Sequence, residues 1–141
     1  MRVMAVDYGD ARTGIAVSDE TAVLVGDAWV IREKNQVAAA RLIADEALTR
    51  GVNVIVVGYP KNMNGTIGPR AKKSDQFAQC IRDLCDIDVM MWDERMTTIS
   101  AGRILSDTGR HGQKRKKIID AVAASIILES YLALHSKTST D

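Results

Sequence analysis

Short apolar runs and longer helical stripes follow one another along the chain. Three runs rich in apolar and β-branched residues come first, at Arg2–Val6, Gly14–Val17 and Ala22–Ile31. Each run is typical of a strand, and the short polar segment between the first two predicts a hairpin. The beginning of the chain therefore predicts three antiparallel strands.

After residue 34 the apolar positions recur at helical spacing. Asn35 is a suitable N-cap for this helix, and Gly51 is a suitable C-cap. The expected apolar stripe comprises Val37, Ala40, Ala44, Ala47 and Leu48.

Two more strands and three more helices complete the predicted order. Val52–Val57 is a nearly continuous run of valine and isoleucine, which is typical of a strand covered on both faces in a parallel sheet. Ile87–Trp92 predicts a fifth strand. The further helices are expected at Arg70–Leu84, from Thr97 or Thr98 to Asp107, and at Lys117–His135, with a polar, basic loop at Gly109–Lys116.

The order β-β-β-α-β-α-β-α-α predicts an α/β fold. We expect a mixed five-stranded sheet, with three antiparallel N-terminal strands and then parallel β-α-β units, flanked by helices. The 141 residues suit a single domain, which we place at 1–135, with a frayed C-terminal tail at 136–141. No apolar run reaches the roughly 18 residues of a membrane span, and the spacing of Cys80 and Cys85 fits neither a zinc ribbon nor a disulfide framework. We therefore expect a cytoplasmic protein that is not bound to a membrane.

The net charge of +1 hides an uneven distribution of basic residues. Five of the 19 basic residues lie between residues 108 and 118 with no acid among them, and the other 14 are set against 18 acidic residues. These five are Arg110, Lys114, Arg115, Lys116 and Lys117. The segment predicts a local contact with a nucleic acid, which Arg12, Arg70 and Arg95 could extend. The alternative is a solvated run of surface charge.

Acidic residues follow the ends of the predicted parallel strands. Asp7 closes the first strand, Gly58 and Pro60 follow the fourth, and Asp93 and Glu94 follow the fifth. Ligands of open α/β sheets bind beyond the carboxyl ends of such strands, so these residues are expected at one edge. Adjacent side chains at a strand end point in opposite directions, so only one of the two neighbouring acids should face the site.

Asp120 adds an acid from the last predicted helix. It shares a helical face with Ala124, Ile127 and Tyr131, which should lie against the sheet. A carboxylate on such a face needs a partner or a metal, because an unpaired buried charge is costly. Taken singly, each acid could instead cap a turn, pair with a lysine or face solvent.

Together the acids predict a metal site. Carboxylate oxygens bind hard divalent cations, so Mg²⁺ or Mn²⁺ is expected. Two such ions about 4 Å apart can activate water and stabilise the leaving oxygen in phosphodiester cleavage. The chain has neither G-x-x-x-x-G-K-[ST] nor G-x-G-x-x-G, so the residues favour a two-metal-ion nuclease over a nucleotide-binding protein.

Four sequence motifs resemble those of the YqgF family, also called RuvX. The first, Asp7-Tyr8-Gly9-Asp10-Ala11-Arg12-Thr13-Gly14-Ile15-Ala16, is similar to the family pattern D-x-G-x-x-R-x-G-x-A. The second is Gly58-Tyr59-Pro60, followed by Asn64-Gly65. The third is Asp93-Glu94-Arg95-Met96-Thr97-Thr98, in which Met96 replaces the usual leucine, and the fourth is the helix motif at 120–128. The resemblance covers essentially the whole chain.

The resemblance implies an RNase H-like fold related to that of the RuvC resolvases. It implies catalytic and metal-binding roles for Asp7, Glu94 and Asp120. The motif residues expected to shape the loops are Gly9, Gly14, Gly58, Pro60 and Gly65. The family implies a cytoplasmic bacterial nuclease with two proposed roles, which are 5′-end maturation of pre-16S rRNA in ribosome biogenesis and Holliday junction resolution. We favour the rRNA role, with structured RNA and ribosomal particles as partners.

Three alternatives stay open at this point. A resolvase acting on branched DNA should be a two-fold homodimer, whereas a nuclease acting on RNA could be a monomer. A non-catalytic nucleic-acid-binding module would use the three acids structurally. An ATP-binding protein of the actin type is disfavoured, because such proteins hold ATP between two domains and this chain has the size of one.

Overall fold

The structure is a computed structural model and describes residues 1–96 and 121–138. The strands are β1 Val3–Asp7, β2 Thr13–Ser18, β3 Val25–Ile31, β4 Val54–Tyr59 and β5 Asp88–Asp93. The helices are α1 Gln36–Thr49, α2 Pro69–Leu84 and α3 Val122–Thr138, and a 3₁₀ turn covers Glu94–Met96. The helix predicted to end at Asp107 and the basic loop lie outside the described residues.

The strands form one mixed sheet in the order β3-β2-β1-β4-β5. β2 is antiparallel to both β1 and β3, whereas β1, β4 and β5 run parallel to one another. The predicted fold, with three antiparallel strands followed by parallel β-α-β units, is confirmed. β1 lies at the centre of the sheet, and its residues from Val3 to Val6 are fully buried.

Helices cover both faces of the sheet. α1 and α2 contact each other and cover the face that carries Met4 and Val6. α3 crosses the opposite face, mainly over β1 and β2, where Val3 and Ala5 lie. Alternate residues of β1 therefore enter two separate cores, which explains why the strand is apolar on both sides.

The buried face of α1 differs from the predicted stripe. Val37 and Leu48, both part of that stripe, are exposed at 53% and 59%. Ala39 and Ile43 take their places in the core, so the helix turns its alanine-rich side to the sheet. Alanine side chains are short, and the backbone of the helix can therefore lie close to the strands.

The start of β3 is later than predicted. The strand begins at Val25 instead of Ala22, because the preceding residues form a turn around Asp19. The carboxylate of Asp19 accepts hydrogen bonds from the amides of Val23 at 3.0 Å and Leu24 at 3.4 Å. Ala22 has a φ of +57°, which a strand does not allow.

The three parallel strands end one or two residues later than predicted. Asp7, Tyr59 and Asp93 are the last residues of β1, β4 and β5, so these side chains are held by the sheet and not by the loops that follow. This edge of the candidate site is therefore anchored by the hydrogen bonds of the sheet.

The last helix covers Val122–Thr138 in the described part of the chain, and it continues three residues beyond its predicted end at His135. Its predicted start at Lys117 lies outside the described residues. The expected face of Ala124, Ile127 and Tyr131 is confirmed, since all three are buried. Residues 139–141 of the expected tail lie outside the described part of the chain. No helix within residues 1–96 and 121–138 has the length and hydropathy to cross a membrane.

Candidate active site

The carboxyl ends of the parallel strands meet at one edge, as the sequence predicts. Val6 of β1 pairs with Val57 of β4, which places Asp7 level with the following residue, Gly58. Gly58 in turn pairs with Trp92 of β5. The register therefore brings the ends of β1, β4 and β5 side by side.

Glu94 follows β5 directly, and its side chain turns back over β4. The 3₁₀ turn that begins at Glu94 bends the chain away from the strand direction. A Cβ atom placed on Gly58 would lie 2.9 Å from Oε2 of Glu94 and 2.8 Å from Cδ1 of Ile127. The carboxylate therefore occupies the space that any side chain at position 58 would fill, which accounts for the glycine.

Burial raises the pKa of both acids at this edge. For Asp7 desolvation is the main cause, and the positive charge of Arg70 opposes it. For Glu94 desolvation is again the largest cause, the negative charge of Asp7 raises the pKa further, and Arg70 lowers it. Oε2 of Glu94 is buried and has no hydrogen-bond partner among the described residues. The charge of Arg70 therefore does not fully offset the burial of the two carboxylates.

Asp93 is engaged elsewhere, which decides between the two adjacent acids. Nη2 of Arg95 donates to Oδ2 of Asp93 at 2.7 Å, Nε donates to Oδ1 at 3.1 Å, and the backbone amide of Arg95 adds a third donor at 3.0 Å. The side-chain hydrogen bonds from Arg95 are the largest cause that lowers the pKa of Asp93. Oε2 of Glu94, in contrast, is buried and has no such partner in the described chain, so its lone pairs could accept a ligand.

Two basic side chains of α2 lie near the acidic edge. Arg70, in the first turn of α2, lowers the pKa of both Asp7 and Glu94 through its charge, and its role in nucleic-acid binding stays a prediction. Lys73 lies one turn further along α2 and donates to Asp10 at 3.1 and 3.2 Å. Lys73 is not among the predicted site residues, although its i, i+3 spacing from Arg70 places both on one helical face.

The other predicted site residues divide into described and undescribed ones. Arg12 is exposed in the loop between β1 and β2, where a Cβ on Gly9 would collide with the carbonyl oxygen of Arg12. Pro60 follows β4, and Gly65 has a φ of +88° in the next loop. The basic residues Arg110, Lys114, Arg115, Lys116 and Lys117 lie outside the described residues.

Asp120 also lies outside the described residues. The chain resumes at Ala121, whose Cα atom would be 3.8 Å from a Cβ on Gly14. Gly14 is the register partner of Asp7, so the first described residue of this segment lies beside the acidic edge. Within residues 1–96 and 121–138, no group of three or more acids, histidines or cysteines is arranged to hold a metal ion.

Solved structures of two resolvases have this fold. Thermus thermophilus RuvC aligns with a TM-score of 0.61 and 12% identity, over 96% of this chain and 97% of its own. A fowlpox virus resolvase in complex with Holliday junction DNA aligns with a TM-score of 0.56 and 13% identity, over 99% and 98%. The fold and the acidic edge thus define an RNase H-like α/β protein.

Sequence similarity is more specific. A family profile described as "RuvX: Holliday junction resolvase" matches residues 1–134. Proteins of Ruminiclostridium cellulolyticum and Halothermothrix orenii, each named "Putative pre-16S rRNA nuclease", are 40% and 41% identical to this chain. These alignments cover 94% and 97% of this chain and 94% and 98% of the relatives. The chain belongs to the RuvX family.

Proposed function

We propose that this protein is a metal-dependent nuclease that hydrolyses phosphodiester bonds in the 5′-end processing of pre-16S rRNA. The observation that carries the proposal is the pair of partly buried carboxyls with raised pKa, Asp7 and Glu94, at the carboxyl end of the parallel strands. An acid with only a structural role at this depth would be expected to have its own partner. Oε2 of Glu94 has none among the described residues.

A divalent cation fits these two residues. Carboxylate oxygens are the ligands that Mg²⁺ and Mn²⁺ prefer, and Oε2 of Glu94 is a buried acceptor whose lone pairs are unused within the described chain. Asp7 and Glu94 would hold the ion from the ends of β1 and β5. A bound cation would offset their charge and supply the activation of water and the charge stabilisation that phosphodiester hydrolysis needs.

Asp120 would be the third ligand. Ala121 follows it in the sequence and lies beside Gly14, the register partner of Asp7, which supports a place for Asp120 near the same edge. Three acids from three separate segments would provide enough oxygen ligands for two ions, and we include the two-metal-ion mechanism in the proposal.

The basic side chains around the edge would bind the phosphates of the substrate. The positive charge of Arg70 lowers the pKa of Glu94, and the positive charges of Arg95 and Lys61 lower the pKa of the neighbouring Asp93. Arg12 and the basic segment at 110–117 would extend this contact along the nucleic acid. Phosphate contacts of this kind position the backbone without reading its sequence.

The names of the curated relatives support RNA as the substrate. Relatives that are 40% and 41% identical over nearly their whole length carry a pre-16S rRNA nuclease name, whereas the RuvC likeness supports only the fold. The family description supports the second candidate, a Holliday junction resolvase, which would require a homodimer. With rRNA as substrate, the protein would work in the cytoplasm on ribosomal particles.

A side-by-side cleavage assay tests both candidates. Purified protein with Mg²⁺ or Mn²⁺ is given a pre-16S 5′-leader RNA and a mobile four-way DNA junction, with Asp7→Asn as the inactive control. We expect discrete RNA cuts that the variant does not make. Symmetric nicks in the junction alone would assign the resolvase function. Binding of either substrate without cleavage would contradict a nuclease and favour a binding module.

The basic segment provides a test of substrate binding. Replacing Lys114, Arg115, Lys116 and Lys117 together by alanine should weaken RNA binding. The slope of log K against log salt should fall by about 0.7 for each single-strand phosphate that the variant no longer neutralises. Arg41→Ala, an exposed change on α1, is the control. An unchanged slope in the fourfold variant would assign these side chains to solvent.

A further inference from the structure

The loop between β4 and α2 carries an unusual side chain. Met63 is 90% exposed, more than any other large apolar side chain in the described part of the chain, where Val23 follows at 62%. Turn positions of this kind are normally filled by glycine, proline or small polar residues. Packing within the described residues does not account for an apolar side chain with this degree of exposure.

Hydrogen bonds fix the turn that presents Met63. The amide of Gly65 donates to the carbonyl of Asn62 at 2.8 Å, and the amide of Asn62 donates to the carbonyl of Thr66 at 2.9 Å. The Asn62 side chain donates to Oγ1 of Thr66 at 2.9 Å, and that hydroxyl donates to Oδ1 of Asn64 at 2.7 Å. The polar neighbours of Met63 thus bind one another and leave the methionine at the tip.

The turn lies beside the acidic edge. A Cβ atom on Gly65 would be 3.4 Å from Nη1 of Arg95, the residue after Glu94. Lys61, at the start of the same loop, lowers the pKa of Asp93 through its charge. Met63 is therefore an exposed, uncharged side chain in a loop that also carries Lys61 and approaches Arg95 at Gly65.

We propose that Met63 contacts the face of a nucleobase in an unpaired or unstacked nucleotide close to the scissile phosphate. The inference rests on the proposed nuclease function. The neighbouring cations suit phosphates, whereas the uncharged thioether suits the aromatic base. Methionine is among the apolar residues that proteins insert between base steps when they distort a nucleic acid. Because every base has an aromatic face, the contact selects unpaired structure and not sequence.

Binding measurements test the contact independently of cleavage. All proteins carry Asp7→Asn, so the RNA stays intact, and the probes are a hairpin with one bulged nucleotide and the same hairpin fully paired. Met63→Gln should weaken binding of the bulged RNA about threefold to tenfold, with the paired RNA and the salt slope unchanged. Met63→Leu, which stays apolar, should remain within about twofold. Leu48→Gln, an exposed apolar residue on α1, is the matched control.

A base analogue reports the contact itself. With 2-aminopurine at the bulged position, binding should change the fluorescence, and Met63→Gln should remove most of that change. The proposal would be overturned if the protein with Met63 bound both hairpins with equal affinity. It would also be overturned if Met63→Gln lost affinity for the paired RNA together with a lower salt slope. If Met63→Gln bound RNA normally but lost binding to ribosomal particles, the proposal would also be overturned, and Met63 would be assigned to a protein contact. If the protein with Asp7 intact does not cleave RNA in the separate cleavage assay but the binding effect of Met63→Gln persists, the base contact stands and the nuclease function fails.

Discussion

The two ends of the sheet differ in how far the charges of their acidic residues are compensated. At the end where β1 begins, Arg50 contacts Asp27 at 3.2 Å and Glu46 at 2.7 Å, and its guanidinium lies 4.3 Å from the ring centre of Trp29. At the same end desolvation raises the pKa of Asp19, but backbone and hydroxyl hydrogen bonds outweigh it, and the pKa is lowered overall. The acids of this end are satisfied by the folded chain.

At the carboxyl end, two acids are only partly compensated by positive charge. Asp7 and Glu94 have raised pKa values, and the charge of Arg70 offsets only part of the burial. Asp93, at the same end, has its own guanidinium from Arg95 and a lowered pKa. The difference therefore separates acids whose charge the described residues compensate from two acids whose burial is only partly offset.

Removing the charge of Asp7 should have the largest effect. Asp7→Asn is expected to slow cleavage of pre-16S leader RNA by about 10³-fold or more, because a carboxylate that holds the metal supports several kcal/mol of transition-state stabilisation. Asp27→Asn makes the same change at the opposite end and should leave the rate within about twofold. Single-turnover rates and circular dichroism check this. Equal losses in the two variants would contradict the contrast between the ends.

A methyl group at Gly58 should have the next largest effect. It would meet Oε2 of Glu94 at 2.9 Å and Cδ1 of Ile127 at 2.8 Å, so Gly58→Ala must move the carboxylate. We expect kcat to fall about 100-fold, as for a 1 Å misplacement, and stability to fall by about 1–3 kcal/mol. Gly26→Ala, whose Cβ would lie 3.3 Å from the amide nitrogen of Asp19, should leave kcat unchanged. A normal kcat in Gly58→Ala would show that catalysis does not depend on this position of the Glu94 carboxylate.

Much of this contrast could be predicted from the sequence. Apolar runs that end in acids, with helices between them, predict parallel strands whose carboxyl ends meet, and the registers of β1, β4 and β5 confirm it. The strand pattern is local and repeats every two residues, so it can be recognised in a single sequence. Asp7 and the adjacent pair Asp93 and Glu94 could be placed at this edge for the same reason, and the resemblance to the family motifs named Glu94 of that pair.

Other features depend on contacts between distant segments. The sequence analysis could not choose between Asp93 and Glu94, because the choice depends on the geometry of the turn that aims Arg95 at Asp93. It missed the rotation of α1, where small alanines outweigh the larger Val37 and Leu48 because close approach to the sheet decides the packing. Alternating patterns carry no information about such three-dimensional fits.

Metal should stabilise the protein only through the carboxyl end. At a concentration ten times Kd, Mn²⁺ should add about 1.4 kcal/mol to the free energy of unfolding, which raises Tm by about 3–5 °C for a chain of this length. Asp27→Asn should retain this shift, and Glu94→Gln should lose most of it. Thermal unfolding with and without Mn²⁺ measures the effect. A full shift in Glu94→Gln would place the metal elsewhere.

The smallest effect is expected in the metal-free protein, as a pH dependence. Because its folded pKa is raised, Glu94 holds its proton more tightly in the folded protein than in the unfolded chain. Stability from this group therefore falls as pH rises from its ordinary pKa of 4.5 through the folded value. Glu94→Gln should raise Tm at pH 7, and the gain should disappear near pH 4.

Asp19 should give the opposite sign, which makes it the control for this pH dependence. Its folded pKa is lowered, so its contribution is present above the ordinary value of 3.8 and is lost as pH falls through the folded value. Asp19→Asn should therefore lower Tm at pH 7, where Glu94→Gln raises it. Thermal unfolding in metal-free buffers from pH 3 to pH 8 measures both. Two shifts of the same sign would mean that the two ends of the sheet do not differ in how they hold their acids.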